Sequence, residues 1–204
     1  MFVYDIEIIK RIPDKNQEND SQYEYCEGWH DHENMGISVI GLYDGKTSFV
    51  FTNCPSSAYS NDFHRYPVDT FIYCVDFLRY SGQKIGGFNN WNFDDKVIES
   101  VCNIEFISDF DILQEIRIAA YGSPSWKDQP PGYSYTLDAI AKANGYAKSG
   151  NGALAPKQWQ DGDYGEVIRY CLNDCRITYE IGQLALSGEL IDPNTGKKLK
   201  ISFD

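Results

Sequence analysis

Along "FVYDIEI" the apolar and polar positions alternate. An extended chain would carry Phe2, Tyr4, Ile6 and Ile8 on one side and Asp5 and Glu7 on the other. The pattern predicts a strand. It breaks over "KRIPDKNQENDSQYEYCEGWHDHENMG", which is polar and rich in turn-forming residues and reads as a long loop insertion at about 10–35. Order returns in "ISVIGLYDGKTSFVFT", two β-rich runs separated by Asp44-Gly45, residues that accept the positive φ of a tight hairpin turn.

Helical spacing then takes over, with Phe71, Val75 and Leu78 recurring between Val68 and Ser81. "KIGGFN" predicts a strand, "FDDKVIESV" a helix, "IEFIS" another strand, and "FDILQEIRIAA" a helix ended by Gly122. The Pro-rich segment from Ser123 to Tyr135 reads as loop. Thr136 is placed to N-cap "LDAIAKAN", with Gly145 as its stop and "GYAKSGNG" as a connector. A long helix follows from about Asp163 to Gly188, bringing Val167, Tyr170, Asp174, Ile177 and Ile181 onto one face. The tail at about 188–204 predicts a hairpin around Pro193 to Gly196. Three antiparallel strands followed by alternating helices and strands predict an α/β architecture, a mixed sheet with helices on both faces.

Composition narrows the function. With 204 residues, 42% of them hydrophobic, the chain is long enough for one sizeable core, and a single domain over 1–204 is expected. There is no apolar run of about 18 residues and no basic-then-apolar N-terminus. No membrane partner is therefore expected, and the expected location is intracellular, in the cytoplasm. Six irregularly spaced cysteines without a CxxC read as free thiols, Cys171 and Cys175 falling at i and i+4. A net charge of −12 excludes a protein that coats duplex nonspecifically, because such binding relies on many Lys and Arg contacts to phosphate. It leaves room for an enzyme that grips a few nucleotides through metals.

The candidate chemistry lies in the acids. Asp5 and Glu7 on one face of a strand would raise each other's pKa unless a cation or a shared proton relieved them. A divalent metal is one remedy; a strand ending at Tyr4, with both acids solvated, is the other reading. Asp94 begins a helix, where free N–H groups stabilise an anion, as a cap or as part of a site. Tyr170 and Asp174 stack on the face of the long helix that should be buried, and a buried acid needs a partner. "HDHE" at His30 to Glu33 with His64 would make a zinc site, but it lies in a polar loop with no cysteine cluster.

Three motifs carry a resemblance: Asp5-Ile6-Glu7, Asn89 with three residues before Phe93-Asp94, and Tyr170 with three residues before Asp174. In this order, each on its element, they resemble the DEDDy branch of the ribonuclease-H-like 3′-5′ exonucleases. They are most similar to the proofreading exonuclease domains of family-B DNA polymerases, over residues 2 to about 186. Arg169 stands where the sister branch has a histidine, so the tyrosine branch is the match.

The resemblance implies a ribonuclease-H-like mixed sheet in which Asp5, Glu7, Asp94 and Asp174 hold two divalent ions, Mg²⁺ or Mn²⁺. Hard oxygen ligands suit those ions rather than Zn²⁺, and a metal pair about 3.5–4 Å apart can activate water and stabilise a leaving oxygen. Tyr170 would orient the attacking water; a phenol with a pKa near 10 is a poor general base at neutral pH. Asn89 would contact the nucleotide backbone and Phe93 would pack in the core. Trp91 either stacks on a base or packs, and Lys148 and Lys157 either contact phosphates or are solvated.

The implied activity is hydrolysis at the 3′ end of single-stranded nucleic acid, DNA favoured over RNA, releasing nucleoside 5′-monophosphates, with a replication or repair protein as a further partner. Two other readings are weighed. A haloacid-dehalogenase-like phosphatase begins with Asp-x-Asp, but the second acid here is Glu7 and Tyr170–Asp174 would be unexplained. A catalytically inactive or partner-dependent nucleic-acid-binding module on the same fold is the remaining one.

Overall fold

The computed structural model describes residues 1–16, 18–55 and 64–203. Gln17 of the long loop and Asp204 of the tail lie outside the described residues. Strand β1 spans Phe2–Ile8, β2 Ile37–Tyr43 and β3 Ser48–Thr52, with the short helix α1 (His32–Met35) between the first two. Beyond them come β4 (His64–Tyr66), α2 (Thr70–Tyr80), β5 (Ile85–Gly87) and α3 (Asp94–Cys102). The chain continues through β6 (Phe110–Asp111), α4 (Ile112–Tyr121), α5 (Leu137–Ala143), α6 (Ala155–Gln160) and α7 (Tyr164–Ser187), and ends in the pair β7 (Leu190–Ile191) and β8 (Lys198–Leu199).

Six strands form one mixed sheet in the order β4-β3-β2-β1-β5-β6. The pairs β1–β2 and β2–β3 are antiparallel, while β3–β4, β1–β5 and β5–β6 are parallel. The fold is thus an α/β architecture built on a mixed sheet flanked by helices, as the hydrophobic pattern predicts, and it is consistent with the ribonuclease-H-like sheet that the resemblance implies. The Asp44 carboxylate accepts the N–H groups of Lys46 and Thr47, closing the β2–β3 hairpin. β7 and β8 pair as the predicted terminal hairpin.

Alternation along β1 sorts its side chains. Tyr4, Ile6 and Ile8 join a core with Phe71, Val75, Leu78, Val97 and Ile98 of α2 and α3. Val3, Asp5 and Glu7 take the opposite face, beneath α7. That helix buries Val167, Tyr170, Asp174, Ile177 and Ile181, the face read from the spacing. Its close approach depends on Gly41, paired with Asp5 across β1 and β2: a Cβ there would lie 2.9 Å from the Cys175 sulfur and 3.0 Å from that of Cys171. All six cysteines are free thiols.

The structure corrects one element. "IEFIS" is not a strand; its backbone groups are taken by side chains instead of a ladder. Asp95 accepts the Ser108 N–H at 2.8 Å, the Ser108 carbonyl accepts the Trp91 indole N–H at 3.1 Å, and Ile107 points into solvent. The strand comes two residues later, at Phe110–Asp111, so the following helix begins at Ile112, capped by Asp111, and not at Phe110. α1, α6 and β4 are elements the hydrophobic pattern did not announce; β4 is three exposed residues on the sheet edge.

Candidate functional site

Three elements converge at the end of β1. β1 contributes Asp5 and Glu7, the first turn of α3 contributes Asp94, and α7 contributes Tyr170 and Asp174. Glu7, Asp94 and Asp174 are all buried, with 6, 7 and 4% of their surface exposed. Asp94 is locked to β1 by accepting the Ile6 N–H at 3.1 Å. At Glu7 the β1–β2 register slips, and Ser38, the residue skipped, donates its hydroxyl to the Glu7 carbonyl at 2.8 Å. Such a bulge re-aims the side chains beside it.

The electrostatics are those of crowded anions. Burial pushes the Asp5 carboxyl well above the usual aspartate range, and the charges of Asp174 and Asp94 push it further. Glu7 is raised by burial and then by Asp5, Asp174 and Asp94. Asp94 is pushed up to about 7, chiefly by burial, against the pull of the Ile6 N–H. Asp174 is also raised by burial, opposed by Lys148, whose ammonium lies 2.6 Å from its carboxylate. Among the described residues, Asp5 Oδ2 and Asp174 Oδ1 are buried with no hydrogen-bond partner. A buried carboxylate oxygen left unpaired is costly, and a bound cation would relieve it.

The donor set fits a hard divalent ion. Ligand atoms of Asp5, Glu7 and Cys171 lie within 4.8 Å of one another; among the described residues neither Asp94 nor Asp174 joins so close a group. The Cys171 thiol is held neutral by burial, its pKa well above that of a free thiol, and it donates to the Asp5 carbonyl at 3.3 Å. That leaves oxygen as the donor type. Among the described residues no cluster of potential ligands includes His30, His32 or His64: His32 packs edge-on against Phe93, and His64 stacks on Phe49 at the sheet edge.

Tyr170 is half enclosed by the connector before α6. A Cβ at Gly150 would meet its ring at 3.1 Å and one at Gly152 its hydroxyl at 3.3 Å, so two glycines let this loop lie against it. The Lys148 ammonium sits 5.2 Å from the ring centre. Burial, then the charges of Asp174, Glu7 and Asp5, raise the phenol pKa far above its usual value, so the hydroxyl keeps its proton.

The other nominated residues separate. Asn89 adopts a left-handed backbone (φ 65°) and its N–H donates to Asp111 at 3.0 Å. Trp91 is committed to structure, its indole N–H on Ser108 and its backbone N–H on Asp111. Lys157 pairs with Asp161 at 2.7 Å and lies over the Tyr23 ring, apart from the carboxylates. Phe93 is half-buried and packs against the core as expected, its ring edge-on to Trp29 at 5.8 Å.

Two supports escaped the sequence reading. Asp111 accepts the N–H groups of Asn89, Trp91, Leu113 and Gln114, tying the turn before Asp94 to the start of α4. Its Asp-Ile-Leu-Gln spacing is a visible capping signal. Asp95 accepts the Tyr4 hydroxyl and the Ser108 N–H and hydroxyl, fixing the first turn of α3 from below.

No protein-family model and no curated protein matches this chain. A solved structure does: the family B DNA polymerase from the hyperthermophilic archaeon Pyrobaculum calidifontis, with a TM-score of 0.56. The chain has the fold of part of a DNA polymerase. The two are 17% identical, and the match covers 96% of this chain and 26% of the polymerase chain. The chain thus spans about a quarter of that polymerase's length. No helix among the described residues is long and apolar enough to cross a membrane.

Proposed function

We propose that this protein is a metal-dependent 3′-5′ exonuclease of DEDDy type, hydrolysing phosphodiester bonds at the 3′ end of single-stranded nucleic acid, DNA in preference to RNA. The observation that carries the reading is the set of four carboxylates from β1, α3 and α7, three of them buried and Asp5 partly so, all raised by burial, with Asp5 and Glu7 raised further by the others and two oxygens left unpaired. The fold likeness to a DNA polymerase supports a nucleic-acid substrate and the preference for DNA.

Asp5, Glu7, Asp94 and Asp174 would hold two Mg²⁺ or Mn²⁺ ions, which when bound supply a more acidic water and stabilise charge on the leaving oxygen. The chain's own groups do the rest. Tyr170, protonated and enclosed by Gly150 and Gly152, orients the attacking water through its hydroxyl. Ile6 fixes the Asp94 carboxylate through its N–H. Asp111 holds the backbone around Asn89 so that Asn89 meets the nucleotide backbone at the mouth of the site. Lys148 balances Asp174 and, on the strand's arrival, is the nearest cation to a scissile phosphate. The products are nucleoside 5′-monophosphates released one at a time.

The test is a gel assay on single-stranded DNA and RNA labelled at the 5′ end, with Mg²⁺, Mn²⁺ or EDTA, beside the Asp5→Ala protein. A metal-dependent ladder shortening from the 3′ end and absent in the variant is expected. No cleavage of either substrate with either metal would overturn the reading in favour of a binding module.

A further inference from the structure

The two faces of α2 are both apolar. Phe71, Val75 and Leu78 enter the core with Tyr4, Ile6 and Ile8 of β1. The opposite face of a surface helix is ordinarily polar. Here it presents Tyr73, Phe77 and Tyr80, which are 75, 68 and 93% exposed. Their spacing, four residues and then three, lines the rings up along the helix as the seam through which helices pair. Ile107 is exposed beside the last turn of α2, and its carbonyl accepts the guanidinium of Arg79, which also pairs with Asp109 at 3.1 Å.

Size and charge bound what covers this stripe. At roughly 200 Å² a ring, the three side chains leave about 470 Å² in solvent, comparable with the largest apolar patch of a typical monomer. That is over half of the roughly 800 Å² that each partner of a stable complex buries, and Ile107 and the helix ends adjoin it. The segment is also neutral: over residues 69–84, Asp69 and Asp76 are matched by Arg79 and Lys84. It lacks the excess of Lys and Arg that phosphates require and the excess of acid that a basic partner requires. Two copies of a chain of net charge −12 repel overall, and a neutral patch is where that repulsion is small.

The seam is complementary to itself. Reversed about its midpoint, between Asp76 and Phe77, it sets Tyr73 of one copy against Tyr80 of the other and brings the two Phe77 rings together at a twofold axis. We infer that α2 is a homodimer interface, through which two copies of this chain pair antiparallel along Tyr73, Phe77 and Tyr80. The carboxylates lie beneath α7, on the face of the sheet away from α2, so the dimer leaves both sites open. The inference does not depend on what those carboxylates do.

Sedimentation velocity of the full chain tests it from about 1 to 100 μM, a range that reaches past the weak end of interfaces of standard size. The parent should be dimeric at the upper end. Phe77→Glu sets two carboxylates against each other at the axis and should weaken the dimer at least about a hundredfold, leaving monomer. Phe77→Lys should do the same, and an equimolar mixture of the two variants should recover the dimer, because opposite charges then meet across the axis. Tyr80→Ala truncates a side chain that is almost wholly in solvent, so it keeps the fold, and it should weaken the dimer about tenfold or more. A parent that stays monomeric throughout overturns the inference and leaves the stripe to a different protein. So does a dimer that both Phe77→Glu and Tyr80→Ala leave intact, which is joined through another face. Two monomeric Phe77 variants whose mixture remains monomeric overturn the twofold pairing.

Discussion

Without metal, the protein should lose stability as the pH rises through the range in which Asp94 ionises. Burial holds this carboxyl at about 7 in the native state, against roughly 3.9 in an unfolded chain. At about 1.4 kcal/mol per unit, the difference is worth ~4 kcal/mol. A carboxyl with a raised native pKa keeps its proton longer when folded. Its contribution is therefore complete below about pH 4, declines as the pH climbs, and is gone above about 7. Between about pH 5.5 and 8 the loss is ~2 kcal/mol, or roughly 4–8 °C in Tm for a chain of this length. Asp5, Glu7 and Asp174 are raised too and act in the same direction. Thermal melts of wild-type and Asp94→Asn protein in EDTA at the two pH values isolate the effect, because the asparagine keeps an oxygen for the Ile6 N–H and removes the charge. The variant should show a smaller drop in Tm with pH, and Mg²⁺ or Mn²⁺ at about 100 times its Kd should return ~2.7 kcal/mol to the wild type at the higher pH. A wild-type Tm that is flat or rising with pH, relative to the variant, would refute the reasoning.

Asp111→Ala strands four backbone N–H groups and should cost about 3 kcal/mol in urea unfolding; a loss under about 1 kcal/mol would mean the turn before Asp94 holds itself. Tyr170→Phe removes one hydrogen bond to the attacking water and should slow cleavage about fivefold with the fold intact by circular dichroism, whereas an unchanged rate would place water orientation elsewhere. Lys148→Met leaves the carboxylates without their closest cation. It should destabilise the metal-free protein by about 2–3 kcal/mol, and saturating Mg²⁺ should narrow the gap to wild type in the same melts.

Where the chain spoke in local patterns, its structure was readable. The alternation in "FVYDIEI", the Asp44-Gly45 turn and the buried face of α7 are each decided by neighbours in sequence, and they put Asp5, Glu7 and Asp174 on facing surfaces. "IEFIS" misled because its alternation is real, with Phe106 and Ser108 buried, but its partners are the side chains of Asp95 and Trp91, not another strand. Asp111 was legible as a cap, and only the fold shows that its remaining capacity holds the Asn89 turn. Lys148 in the carboxylate cluster and Trp29 against Phe93 are tertiary contacts between loops and distant helices; no periodicity announces them. The role of Gly41 is likewise invisible until register sets it opposite Asp5 beneath two sulfurs.

The central claim is that the four carboxylates form a site for two divalent ions, and crystals grown with Mn²⁺ test it most directly through anomalous scattering. Two peaks bounded by Asp5, Glu7, Asp94 and Asp174, with the Lys148 ammonium withdrawn from Asp174, are the predicted result. A cluster without anomalous signal at saturating Mn²⁺, its Lys148–Asp174 pair intact, would contradict it.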